Sequence, residues 1–283
     1  MQCKKALIEA NGDEDAALKI LREKGMATAA KKADRIAALG LVTSDVYNDG
    51  TVGVILEVNC ETDFVAKTDA FKGLVKNLSE QIAVSKPGCV DCLLSADSIK
   101  EPGRTVNELV TETVSKCGEK ISVRRFERIE ADGSTFDTYI HMGGQIGVLL
   151  EIAGAENASD EAKAVFHTIS MHIAAANPAY LCREEVPADV IEKEKEIAKN
   201  QALNEGKKEQ FVDKIVDGRI NKYYKENCLL EQVSMLDQEN TITALLKKAG
   251  DFSIKRFVRY QMGEGIEKRQ DNFAEEVMGQ MVK

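Results

Sequence analysis

Thr62-Asp63-Phe64-Val65 follows the apolar run Val52 to Val58 and sets a carboxylate beside an aromatic ring where a buried strand would end. Two arrangements suit these residues. Asp63 caps the helix that follows, with Phe64 as a hydrophobic anchor beneath it. Alternatively, a turn presents Phe64 outward with Asp63 beside it, as the kind of aromatic wedge that carries much of an interface's energy. Periodicity leaves both open. Cys89-Val-Asp-Cys92 is a single CxxC without the two further ligands zinc would need. It follows Pro87-Gly88 in a loop, not the strand-to-helix setting of a redox motif, so incidental thiols are expected. His167 and His172 are five residues apart and fall on different helix faces, whereas ligation favours a spacing of four with a nearby carboxylate. They are expected to be structural. His141 stands before Met142-Gly143-Gly144, where glycines let another surface approach closely. Gly143-Gly144-Gln-Ile-Gly147 imitates a phosphate loop only superficially, because an apolar strand and not a helix follows it. There is no Walker lysine motif, and residue order supports no Ser–His–Asp or Cys–His set. No catalytic residue, metal or cofactor is expected.

The chain has 283 residues, 43% hydrophobic and 30% charged, enough for two domains of a soluble globular protein. No apolar run approaches the roughly 18–20 residues of a membrane span. Met1-Gln-Cys-Lys-Lys lacks the pattern of a signal peptide, and seven cysteines without one point to free thiols in a reducing, cytoplasmic setting. A net charge of −9 opposes broad nucleic-acid binding, despite Lys31-Lys32 and Arg124-Arg125 with Arg128. A protein partner is the better expectation.

The elements that must hold these residues are written twice. Thr51-Val-Gly-Val-Ile-Leu-Glu-Val58 returns as Gln145-Ile-Gly-Val-Leu-Leu-Glu-Ile152. Ile82-Ala-Val-Ser-Lys-Pro87 returns as Ile173-Ala-Ala-Ala-Asn-Pro178, and Ser122-Val-Arg-Arg-Phe-Glu-Arg128 as Ser253-Ile-Lys-Arg-Phe-Val-Arg259. Asn48-Asp49-Gly50 predicts a hairpin between Val42–Val46 and Val52–Val58. Phe71, Leu74, Val75, Leu78 and Ile82 form one stripe of a helix over 70–84, and a second helix is expected over 105–116. The second copy repeats the order, with a hairpin over 135–152 and a helix over 161–176. Gly53 and Gly147 are 94 positions apart but Arg125 and Arg256 are 131 apart, so the second copy carries 37 extra residues. The charged segment 187–227, split by Asn204-Glu205-Gly206, fits them as an antiparallel helical hairpin. Residues 3–10 and 14–24 predict two short helices, the second capped by Asp13 and ended by Gly25, with a helical linker over 26–39. A last amphipathic helix is expected over 263–283.

Ile55-Leu-Glu-Val-Asn-Cys-Glu-Thr-Asp-Phe-Val-Ala-Lys67 is the longest segment by which the chain resembles bacterial translation elongation factor Ts, the guanine-nucleotide exchange factor of elongation factor Tu. Cys3-Lys-Lys-Ala-Leu-Ile-Glu-Ala-Asn-Gly12, His141 with Gly144-Gln-Ile-Gly-Val148, Met171-His-Ile-Ala-Ala175 and Gly263-Glu-Gly-Ile-Glu-Lys268 fit in the same order. The resemblance implies an α+β fold with an N-terminal helical, UBA-like remnant over 1–38. Two related subdomains with antiparallel sheets follow, over 39–129 and 130–262, the second carrying the hairpin 187–227 as a coiled coil, and then a C-terminal module over 263–283. The resemblance also implies the outward reading of Phe64 and a non-enzymatic role. Asp63 and Phe64 would intrude beside the partner's nucleotide and disturb its magnesium and phosphate contacts, with Thr62 and Val65 shaping the turn. His141, Met142, Gly144 and Ile146 would grip another domain of elongation factor Tu. Ile266, Phe273 and Val277 of the C-terminal helix would touch its nucleotide-binding domain. Neither nucleic acid nor membrane is implied, and self-association through 187–227 stays open. The family carries a further helix ahead of the segment that begins here at Met1. Because Leu7, Leu18 and Leu21 otherwise lack a partner helix, a missing segment is expected.

Overall fold

The computed structural model of the chain describes residues 2–267, so Phe273, Val277 and the helix expected around them lie outside the described residues. In chain order come α1 (Gln2–Glu9), α2 (Glu14–Lys32), β1 (Leu39–Tyr47), β2 (Val52–Cys60), α3 (Asp63–Ala66), α4 (Asp69–Ser85), α5 (Val90–Ser95) and α6 (Val106–Cys117). Then follow β3 (Ile121–Glu130), β4 (Ser134–His141), β5 (Ile146–Ala153), α7 (Asp160–Ala176), α8 (Ala188–Asn204), α9 (Glu209–Asn227), α10 (Ile242–Ala249) and β6 (Ser253–Gln261). The fold is α+β. Its strands form two three-stranded sheets, ordered β1-β2-β3 and β4-β5-β6. Two compact units divide the residues: the first takes 1–43, 56–126 and the segment from Gln261, and the second takes 44–55 and 127–260.

The duplication reaches further than the sequence echoes. Asn48 and Asp49 take φ of 51° and 53°, the left-handed pair that a tight hairpin requires. α4 and α7 each run 17 residues and end on a left-handed cap, Lys86 at φ 50° and Asn177 at φ 49°, with proline next in sequence. α6 starts on Thr105 and α10 on Thr241, each capping a backbone N–H through its side chain. Short antiparallel bridges pair Asp97 with Thr105 and Val233 with Thr241. α10 escaped the sequence reading, although Ile242, Leu245 and Leu246 give it a buried stripe.

The central strands are apolar on both faces, and each buries one glutamate at the equivalent position. Glu57 is wholly buried and accepts from Arg124 Nη1 (2.9 Å), Arg125 Nε (2.7 Å), the Gly263 amide (2.7 Å) and Asn59 Nδ2 (3.2 Å). Glu151 accepts from Ser134 Oγ (2.6 Å) and Arg256 Nε (2.7 Å), with Lys255 Nζ at 3.8 Å. The Arg124-Arg125 and Lys255-Arg256 echoes therefore each set cationic side chains against a buried carboxylate.

In the second unit, Val148, Leu150 and Ile152 of β5 pack with Phe166, Ile169 and Ile173 of α7 and with Ile242 and Leu246 of α10. The hairpin α8–α9 has its own small core of Ile191, Ala198, Ala202, Val212, Val216 and Ile220. In the first unit, α2 differs from expectation by continuing to Lys32. Gly25 does not stop it: a Cβ there would sit 3.1 Å from Ser115 Oγ, so the glycine admits the close approach of α6. α6 thus supplies part of what α1 and α2 lacked, although Leu7 and Leu18 remain exposed. The CxxC is also a correction: Cys89, the N-cap of α5, and Cys92 in its first turn are disulfide-bonded, not separate thiols.

Candidate functional site

Cys60 ends β2, and the chain must turn before α4 can cover the sheet. Thr62 makes that turn. Its Oγ1 accepts from the Val65 amide at 3.3 Å, so Thr62, not Asp63, caps α3. Glu119, just after the left-handed cap Gly118 of α6, holds Thr62 twice: it accepts from the Thr62 amide at 2.9 Å and from its hydroxyl at 2.7 Å. Neighbouring Glu61 accepts from the Lys120 amide at 2.6 Å and pairs with Arg35 at 3.2 Å. Val65 and Ala66 point inward and are buried. The base of the turn is therefore rigid on both flanks.

Phe64 is 79% exposed, which removes the anchor-beneath-the-helix reading. Asp63 beside it is exposed and pairs with Lys67 at 2.7 Å, one helical turn on. The hydrogen bond from Lys67 holds the Asp63 carboxyl below its usual range, keeping it ionised. An apolar ring and a carboxylate are thus displayed together on a short helical turn whose own backbone is braced. Such a display can enter a pocket, exclude water and place negative charge there.

The second group of candidates lies at the β4–β5 turn. His141 pairs with Ile146 in register, and Met142, Gly143 and Gly144 cross between them with φ of 48°, 65° and 100°. His141 and Met142 are exposed, Ile146 is half-buried against the second unit's core, and Gly144 is buried within the turn. Tyr139 Oη lies 2.9 Å from His141 Nδ1 and orients the ring, and Tyr139 also meets His167 edge-on at 5.6 Å. His167 in turn lies 3.3 Å from Asp137, a carboxyl whose pKa burial raises. His172 is buried among polar partners, as its structural role requires. Ile266 is half-buried, its amide donating to the Gly263 carbonyl at 3.1 Å. Glu119 and Tyr139 carry no motif signal, since each acts through a neighbour that only folding supplies. Among the described residues no group of three or more His, Cys, Asp or Glu could hold a metal, and no helix is long and apolar enough to cross a membrane.

Residues 61–264 match a family model described as elongation factor Ts. The elongation factor Ts of Halothermothrix orenii is 48% identical over 283 residues, covering 100% of this chain and 93% of that protein. That of Clostridium tetani is 47% identical over 286 residues, covering 99% and 94%, and that of Clostridium kluyveri 46% over 286 residues, covering 99% and 93%.

Proposed function

Because the chain belongs to the elongation factor Ts family of translation elongation factors, we propose that it is the guanine-nucleotide exchange factor of an elongation factor Tu. It binds the GDP-bound partner and inserts Asp63 and Phe64 beside the nucleotide. The intruding ring and carboxylate disturb the magnesium and phosphate contacts, and phosphate charge left without its magnesium bridge holds GDP less tightly. Thr62 and Val65 keep the turn in shape. His141, Met142 and Ile146 contact a second domain of the partner, with Gly144 setting their turn, and Ile266 begins a further contact that Phe273 and Val277 extend. Linkage makes the effect reciprocal: by whatever factor this protein weakens GDP, GDP weakens it, and incoming GTP displaces it. The chain works in the cytoplasm without covalent chemistry, cofactor, nucleic acid or membrane.

The observation that carries this reading is the exposure of Phe64 on a braced turn, an unusual position for a large aromatic side chain. Stopped-flow release of a fluorescent GDP analogue from elongation factor Tu tests it. The chain is expected to accelerate release strongly, and the Asp63→Ala/Phe64→Ala double variant to lose most of that acceleration. Equal acceleration by the variant would remove the loop from the mechanism.

A further inference from the structure

The Cys89–Cys92 disulfide spans a sequence separation of three with Cα atoms 5.0 Å apart, and both residues are exposed. A bond across so short a loop restrains the unfolded chain least, so it adds little as a brace. The segment does not need one. Leu93 is wholly buried and pins α5, its amide donates to the Cys89 carbonyl at 2.9 Å, and the Ala96 amide donates to Leu93 at 3.2 Å. Ser95 Oγ adds a bond to the Asp91 carbonyl at 2.8 Å. The Cys92 amide also points at Cys89 Sγ from 3.0 Å, a donor that a thiolate there would keep.

The other described cysteines, Cys60, Cys117, Cys182 and Cys228, are unbonded. Burial pushes the Cys60 thiol up to about 12 and Cys228 up to about 11, and buried thiols of that kind are inert to exchange. Cys117 and Cys182 are half-buried, so Cys89 and Cys92 are the exposed pair among these six, held at bonding separation by a segment with its own buried anchor and hydrogen bonds.

We propose that Cys89 and Cys92 form a reversible dithiol–disulfide site that exchanges with low-molecular-weight thiols and disulfides. One protein thiolate attacks the small disulfide, giving a mixed disulfide and releasing one small thiolate. The second protein thiolate then attacks the protein sulfur of that mixed bond and releases the other small thiolate. Two protein thiols and one small disulfide become one protein disulfide and two small thiols, the protons passing to the released thiolates. A short CxxC in a chain with other free thiols fits a transient, responsive bond better than a permanent one.

The test equilibrates the full chain in glutathione buffers of graded oxidised-to-reduced ratio, followed by acid quench, alkylation and mass analysis of each cysteine peptide. The peptide holding Cys89 and Cys92 is expected to pass from two alkylations to none across the series. The far-ultraviolet dichroism should not change, and Cys60 and Cys228 should stay unreactive until the chain is denatured. In Cys89→Ser the internal bond cannot form, and Cys92 is expected to accumulate one glutathione adduct. Two alkylations at every ratio would reduce the pair to incidental thiols. Persistence of the bond in the most reducing buffer, or loss of helical signal when it breaks, would make it a structural brace and overturn the proposal.

Discussion

Phe64→Ala is expected to leave the fold intact while weakening the proposed complex with elongation factor Tu. Complete burial of a Phe side chain is worth about 1.5–3 kcal/mol. With 79% of Phe64 exposed, folding draws on only the remaining fifth, about 0.3–0.6 kcal/mol. The better helix propensity of alanine within α3 offsets a few tenths of that. The apparent unfolding midpoint should therefore move by less than about 2 °C. A partner that covers the exposed four-fifths gains the complementary share, about 1–2.5 kcal/mol, so the variant should bind about 5- to 70-fold more weakly. Paired measurements check both halves: thermal melts followed by circular dichroism, and titration calorimetry against GDP-free elongation factor Tu. Phe71→Ala, which empties a wholly buried site in α4, is the contrast and should cost about 3–5 kcal/mol of stability. A midpoint drop for Phe64→Ala as large as that for Phe71→Ala would refute the exposed placement. Unchanged affinity would refute the contact.

Glu57→Gln leaves Arg124 and Arg125 without their shared counter-charge and should cost about 3 kcal/mol in urea unfolding, toward the low end because both arginines are partly exposed. Burial alone would raise the Glu57 pKa, but the Gly263, Arg124, Arg125 and Asn59 donors outweigh it and the net shift is downward. Its contribution is therefore full above its unfolded value near 4.5 and is lost as pH falls below that; the variant should show a flatter acid limb. His172 behaves oppositely in cause and alike in direction: burial lowers its pKa from 6.5 against the hydrogen bond to Gln232, so stability is complete above about 6.5 and declines as pH drops. Because the Met235 amide donates to His172 Nδ1 at 3.2 Å, protonation breaks that bond, and His172→Leu should flatten the decline below about pH 6.5 while costing about 1–3 kcal/mol. Gly263→Ala, at φ 70°, would drive a Cβ into the Ala38 carbonyl and should cost about 1–3 kcal/mol, whereas Gly73→Ala, in the open on α4, should add about 0.5–1 kcal/mol by helix propensity.

What could be read from the chain was whatever local chemistry decides. Asn48-Asp49-Gly50 announced its hairpin because few residues accept left-handed φ, and the offset between the Gly53 and Arg125 repeats located the helical hairpin at 187–227. What escaped depended on distant neighbours. Gly25 read as a helix stop, but Ser115 and Thr111 make it a point of close approach instead. Asp63 and Thr62 are both good caps by type, and Glu119, 57 residues on, settles which one faces the helix. The exposure of Phe64 follows from the same tethers, so spacing alone left its two arrangements level. Glu57 read as one letter of a repeat, and its arginine partners, 67 and 68 residues away, were visible only as a second repeat.

The bond from the Gly263 amide to Glu57 joins residues 206 positions apart. A ribosome adding about 5–20 residues per second needs roughly 10–40 s to travel between them. Throughout that interval the nascent first unit holds a carboxylate bound for a dry interior without one of its donors. The second unit, whose residues end at Tyr260, is free to close first. Synthesis from the N-terminus and completion of the fold thus run in opposite orders.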